Sequence, residues 1–245
     1  MTIREREKDD ETVTETRSES EKEHTRKSFR EDLDELQEGV TEMAEAVVEQ
    51  YERSLEAFEN DDEELAREVI ESDDEINDLY LSLEQDCIDL MSLQQPVASD
   101  LRLVVGSFKI ITDLERVGDL STNIAEYALE SRDSVIEGVE IGNIARNALK
   151  MLRESVQAYD DADTRIPYEI AAEDEDLDEA CGEVGQGLMR SLIEKSGSEA
   201  EIDDVLHEAR HIVLAIRDIE RVGDHSVNIA ARVLYIAQNE EELVY

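Results

Sequence analysis

Carboxylates at helical spacing are the residues in this chain most suited to chemistry. Glu115 and Asp119 stand four apart, as do Glu220 and Asp224. A helix places such pairs on one face. At about 100° per residue, Val104, Phe108 and Ile111 share the face of the first pair, and Val213, Ile216 and Val227 share that of the second. Both pairs therefore fall on an apolar stripe. A second stripe repeats the anomaly: Asp73 and Asn77 align with Val69, Ile70, Ile76, Tyr80 and Leu81, while Asp174 and Asp178 align with Ile170, Leu177 and Cys181.

A buried carboxylate without compensation costs several kcal/mol, so such groups are paired, protonated or bound to metal. Oxygen-only ligands favour hard or borderline cations such as Mg²⁺, Ca²⁺, Mn²⁺ or iron, and bridging carboxylates allow a multinuclear cluster. Asn123 and Asn228, four residues beyond Asp119 and Asp224, extend the ligand line. Two metal-free readings stand beside this one. Arg116 and Arg221 are placed to neutralise the carboxylates, or the stripes form an acidic surface groove. Gly118 and Gly223 occupy matching places beside the carboxylates. Glycine costs about 1 kcal/mol in a helix relative to Ala, so its repetition predicts close backbone approach there.

The segment His207-Glu208-Ala209-Arg210-His211 fits the HExxH pattern of zinc proteases. Yet Asp204, His211, Asp218 and His225 recur every seven residues, about 180° from Glu220, and read as a solvated stripe. The other half offers only Arg102 and Gly106 at the matching places. The sequence has no GxSxG, P-loop or dinucleotide fingerprint, and no ExxH on the inward stripes of the kind used by ferritin-like di-iron enzymes. No general base or nucleophile stands beside the carboxylates, so a metal-dependent hydrolase is the weaker alternative.

The elements that must position these residues are helices. Apolar residues follow a 3.6 period from Phe29 onward, predicting helices over 29–60, 62–94, 97–132, 138–161, 167–196 and 199–239. Pro96 and Pro167 sit at helix starts, and Asn60-Asp61-Asp62 and Ser196-Gly197-Ser198 mark turns. Residues 112–125 (TDLERVGDLSTNIA) match 217–230 (RDIERVGDHSVNIA) at a shift of 105. An earlier shift of 101 aligns Asp73–Asn77 with Asp174–Asp178, and Ser54 with Ser155. The expected fold is all-α: two tandem three-helix bundles over 29–133 and 137–239, each closing its own core, behind an acidic tail over 1–28, disordered or frayed.

The 245 residues carry a formal net charge of −42 spread along the chain, with only 6 Lys among 24 basic residues. That charge argues against direct nucleic-acid or anionic-lipid binding and suggests a high-salt cytoplasm, where ions screen self-repulsion. The isolated Cys87 and Cys181 read as core residues of a reducing compartment. No apolar run reaches the length of a membrane span and the N-terminus shows no signal-peptide core, so a cytoplasmic location is expected.

The paired DLERVGD and NIA motifs, DDEIND, and the stretch LQQPVASDLRLVVGSFKIITDLERVGD resemble the PhoU family over residues 29–239. The resemblance implies two three-helix PhoU repeats in a regulator of phosphate homeostasis rather than an enzyme. It implies negative control of phosphate uptake and signalling, by docking to the ATPase and membrane components of a phosphate ABC transporter and to a sensor histidine kinase. Contact with the membrane would then run through partners. It also implies a homodimer and divalent or trivalent metal ions (iron, zinc, magnesium or manganese) on the carboxylate faces. By position the first cluster uses Asp73, Glu115 and Asp119, with Asn77 where the other half has Asp178; the second uses Asp174, Asp178, Glu220 and Asp224. A metal-free helical scaffold and an accessory of another phosphate carrier are the alternatives.

Overall fold

The computed structural model describes the backbone of residues 3–93, 97–130, 141–194 and 199–238, with side chains described from Lys27 onward except at a few helix ends. Six helices follow in order: α1 (Ile3–Asn60), α2 (Glu63–Leu93), α3 (Ala98–Glu130), α4 (Ile141–Asp161), α5 (Ile166–Glu194) and α6 (Glu199–Gln238). Helices α1–α3 pack together as one bundle and α4–α6 as a second, with α3 against α6 and α1 against α4 joining them. Pro96 and the Ser196–Ser198 turn lie outside the described residues.

Helix α1 starts at Ile3, so it runs through the stretch expected as a frayed tail. That stretch contains no Gly or Pro and is dense in Glu, Lys and Arg, which lose little on entering a helix.

The repeat is visible in the caps. Asp61 (φ 51°) follows α1 and Ala162 (φ 50°) follows α4, both in the left-handed region and 101 positions apart. In each case the next residue donates back to the last turn: Asp62 N–H to Ala57 O at 2.9 Å, Asp163 N–H to Ala158 O at 3.0 Å. These are Schellman closures, which satisfy carbonyls the helix leaves orphaned. Asp62 then caps α2 by accepting from the N–H groups of Glu64 and Leu65. Ser54 and Ser155, fully buried at matching places, bond the carbonyls of Tyr51 and Leu152.

The core differs from the expectation of two separate interiors. One cluster of buried residues runs from Leu33 and Met43 in α1, through Ile110 and Leu114 in α3, to Ile144 and Leu152 in α4 and Ile219 in α6. A buried hydrogen bond between the Ser107 and Tyr159 hydroxyls, 2.7 Å, crosses from α3 to α4. No helix among the described residues is long and apolar enough to cross a membrane.

Candidate metal centre and the seam beside it

The two carboxylate clusters lie at matching places but are built differently. In the first, Asp73 on α2 is satisfied by neutral donors: Asn77 Nδ2 at 2.9 Å, Thr122 Oγ1 at 3.1 Å and Gln50 Nε2 at 3.4 Å. Arg116 lies 3.5 Å from Glu115 and 3.2 Å from Asp119, so the arginine pairing envisaged from the sequence occurs here. Glu115 still has its pKa raised, by burial first and then by the Asp119 charge, with Arg116 acting in the opposite direction.

In the second cluster every one of those donors has changed. The residue matching Gln50 is Met151, that matching Thr122 is Val227, and that matching Asn77 is Asp178. Asp174 Oδ1 is buried with no hydrogen-bond partner. Burial, followed by the charges of Asp178, Asp224 and Glu220, pushes the Asp174 pKa up to about 6. Glu220 and Asp224 are also raised, each by burial first and then by Asp178. Arg221 turns to Asp218, 3.6 Å away, rather than bridging these carboxylates as Arg116 does. A groove of about 850 Å³ opens here, with Asp174, Asp224, Arg221, His225 and Asn228 in its wall.

The carboxylates sit nearer to solvent than the apolar stripes implied. Asp178, Glu220 and Asp224 are exposed, and Asp73, Glu115, Asp119 and Asp174 are half-buried. Asp174 and Asp224 line the groove, and a carboxylate at the edge of a stripe can turn outward while its aliphatic neighbours stay in. No three of these carboxylates bring ligand atoms within 4.8 Å of one another. Among the described residues, the group of three His, Cys, Asp or Glu with ligand atoms within 4.8 Å of one another is Glu130, His207 and His211.

Gly118 and Gly223 stand where the helices approach. A Cβ on Gly223 would lie 2.6 Å from Leu177 Cδ2 and 3.0 Å from Asp174 Oδ1; on Gly118 it would lie 3.3 Å from Ile76 and 3.4 Å from Gln50 Oε1. The glycines let α6 and α3 come close to the helix carrying the aspartate.

The polar stripe recurring every seven residues is buried along its middle, at His211 and Asp218, and half-buried at His225, while Asp204 is exposed. Asp218 is 0% exposed, His211 2% and Glu208 7%. That reading treated each bundle alone; the face outside one bundle is the face that α6 lays against α3. Across this seam Tyr127 donates to Asp218 Oδ2 at 2.8 Å, and Asp218 also accepts from Arg217. His225 Nδ1 lies 2.9 Å from Asp113 Oδ1. Asn123 reaches Asp218 and Asn228 reaches Asp113, both at 3.5 Å. Both asparagines thus reach across the pseudo-twofold seam, and Asn228 also lines the groove beside Asp174 and Asp224. Burial, then the His207 charge, lowers the His211 pKa. The sequence held a signal for this seam: Asp113 and Asp218 are identical in both halves yet lie off the carboxylate stripe.

Comparison with known proteins follows the same division. The profile of the PhoU domain matches residues 40–128 and 141–233. The chain is 32% identical over 183 residues to the phosphate-specific transport system accessory protein PhoU homolog of Pseudomonas aeruginosa, covering 74% of this chain and 73% of that one. It is 30% identical over 184 residues to the phosphate-specific transport system accessory protein PhoU of Escherichia coli (strain K12), with the same shares. The crystal structure of PhoU from Pseudomonas aeruginosa matches with a TM-score of 0.77 at 29% identity, covering 86% of this chain and 100% of that one.

Proposed function

The chain belongs to the PhoU family, and from that premise we propose that it restrains phosphate uptake and phosphate-responsive signalling by docking to a phosphate transporter, a sensor kinase or both. Its curated relatives are named accessory proteins of the phosphate-specific transport system. The helical surfaces offer an acidic rim and, among the described residues, no nucleophile–base pair beside it, which suits recognition by partners rather than turnover. The ATPase and membrane components of an ABC transporter are the partners the family resemblance implies, with a homodimer as the working unit in the cytoplasm.

A bound cation belongs in this reading, and the orphaned Asp174 oxygen carries it. A half-buried carboxylate facing three like charges and no donor is stabilised either by a proton or by a metal. Asp174, Asp178, Glu220 and Asp224 offer oxygen ligands alone, and an ion that drew them together would supply positive charge that holds α5 against α6. In the first cluster Asp73 must first surrender its bonds to Asn77, Thr122 and Gln50. The Asp73–Asn77–Glu115–Asp119 cluster therefore fills after the second, and at low metal it stands as a hydrogen-bonded, Arg116-paired counterpart.

The test is elemental analysis of protein purified without chelators, together with phosphate-dependent reporter expression in cells. Glu220→Ala/Asp224→Ala is expected to lose metal and loosen repression while keeping its helix content. Unchanged metal content would remove the second cluster from the mechanism. Unchanged reporter control alongside lost metal would leave docking independent of the ion.

A further inference from the structure

His207 and His211 lie one helical turn apart on α6, and the fold brings a third ligand to them from the other half. Glu130 is the last residue of α3, and its Oε2 lies 2.9 Å from His211 Nε2. Ligand atoms of Glu130, His207 and His211 all lie within 4.8 Å of one another. We propose that these three residues bind a Zn²⁺-class cation that clamps the C-terminal end of α3 to α6.

His211 carries the argument. Its side chain is 2% exposed, its Nδ1 has no hydrogen-bond partner, and its Nε2 faces the Glu130 carboxylate at 2.9 Å. The 2.9 Å approach of Nε2 to Glu130 sets an imidazole nitrogen beside a carboxylate oxygen, as two ligands of one ion stand. An unpaired nitrogen on a buried imidazole is costly, and a cation shared by the ring and the carboxylate offsets that cost. The ring is fixed in place: Tyr127 stacks on it at 6.0 Å and 10°, and His207 meets it edge-on at 4.5 Å and 88°.

The donor set selects the ion. Two imidazole nitrogens and one carboxylate oxygen suit Zn²⁺, with water completing the shell, and do not suit Mg²⁺ or Ca²⁺, which prefer oxygen alone. Glu130 and His207 are exposed, so the ion enters from solvent. The site is structural rather than hydrolytic. Glu208, which occupies the general-base place of the HExxH pattern, is buried and already engaged. A cation here bridges the two repeats, whereas the carboxylate clusters each lie within one repeat.

The experiment titrates chelator-stripped full-length protein with Zn²⁺ by calorimetry, and with Co²⁺ by visible absorption, at fixed ionic strength. The variants are His207→Ala, Glu130→Gln and, as a control, Glu220→Ala/Asp224→Ala. His207 and Glu130 are exposed, so both substitutions keep the fold, which circular dichroism checks. The wild type and the control are expected to show one Zn²⁺ equivalent that excess Mg²⁺ does not displace, with a Co²⁺ spectrum of imidazole ligation. His207→Ala and Glu130→Gln are each expected to lose that equivalent. If either variant takes up Zn²⁺ with the stoichiometry and affinity of the wild type, the proposal is overturned. Loss of the same equivalent in the control would also overturn it, by assigning the ion to the carboxylates.

Discussion

Asp174 and Asp73 are the same residue in two copies of one motif, and their surroundings give them opposite fates. Asp73 accepts hydrogen bonds from three side-chain donors. Met151, Val227 and Asp178 replace those donors around Asp174, whose pKa rises from 3.8 to about 6. The folded metal-free protein therefore holds a proton at Asp174 that the unfolded chain has released, between pH of about 4 and about 6. Where the native state binds more protons, stability falls as pH rises. Metal-free protein should lose on the order of 1 kcal/mol across that window, the full linkage value being reduced because the side chain is partly solvated. Denaturant melts at pH 4.5 and 7 should show this loss in the wild type and a smaller one in Asp174→Asn, with added cation narrowing the difference. Parallel pH profiles for the two proteins would mean that Asp174 ionises freely. The carboxylates were legible in the sequence because their spacing is periodic. Their inequality was not, because Met151 and Val227 matter only through what they fail to donate, and they lie on helices far away in sequence.

At the scale of the helix, propensity and punctuation carried most of the information. The ends expected for α2 to α6 fall within a few residues of those observed, since Pro167, Asn60-Asp61-Asp62 and the loss of apolar period mark them locally. The start of α1 was missed because no local signal stops a Glu/Arg/Lys-rich stretch from remaining helical. The polar stripe of α6 was misread for a related reason: periodicity reports which residues share a face, not what the face meets. The Schellman caps give a test at this scale. Ala162 holds φ 50° at the end of α4, a conformation that costs a Cβ-bearing residue roughly 1 kcal/mol and glycine almost nothing. Ala162→Gly should therefore raise stability by about 0.5–1 kcal/mol despite the entropy glycine adds to the unfolded chain. Chemical denaturation of the variant checks the sign. Asp61→Gly should gain less, because aspartate tolerates the left-handed region better than alanine does.

For the molecule as a whole, two forces compete: one apolar core shared by both repeats, and a net charge of −42 on 245 residues. The repeats are legible as a duplication, and a duplication by itself predicts a separate interior for each. Only the folded chain shows that α3 and α6 bury Asp218 and His211 between them. A shared core predicts that the repeats unfold together, while the charge predicts that they do so readily in dilute buffer. Ion pairs across the halves, Arg153 with Glu52 at 2.7 Å and Arg146 with Glu59 at 3.2 Å, lie at the surface and offset little of the repulsion. Adding salt weakens these pairs, but it weakens the far more numerous like-charge contacts as well, with screening over about 3 Å at 1 M against about 30 Å at 0.01 M. Repulsion should win the comparison, so the melting temperature should rise from low to molar KCl, in one transition at both ends. A melting temperature indifferent to salt would mean that the acidic surface is already compensated, and would remove the argument for a saline cytoplasm. Two separated transitions would instead show that the α3–α6 seam is weaker than either bundle.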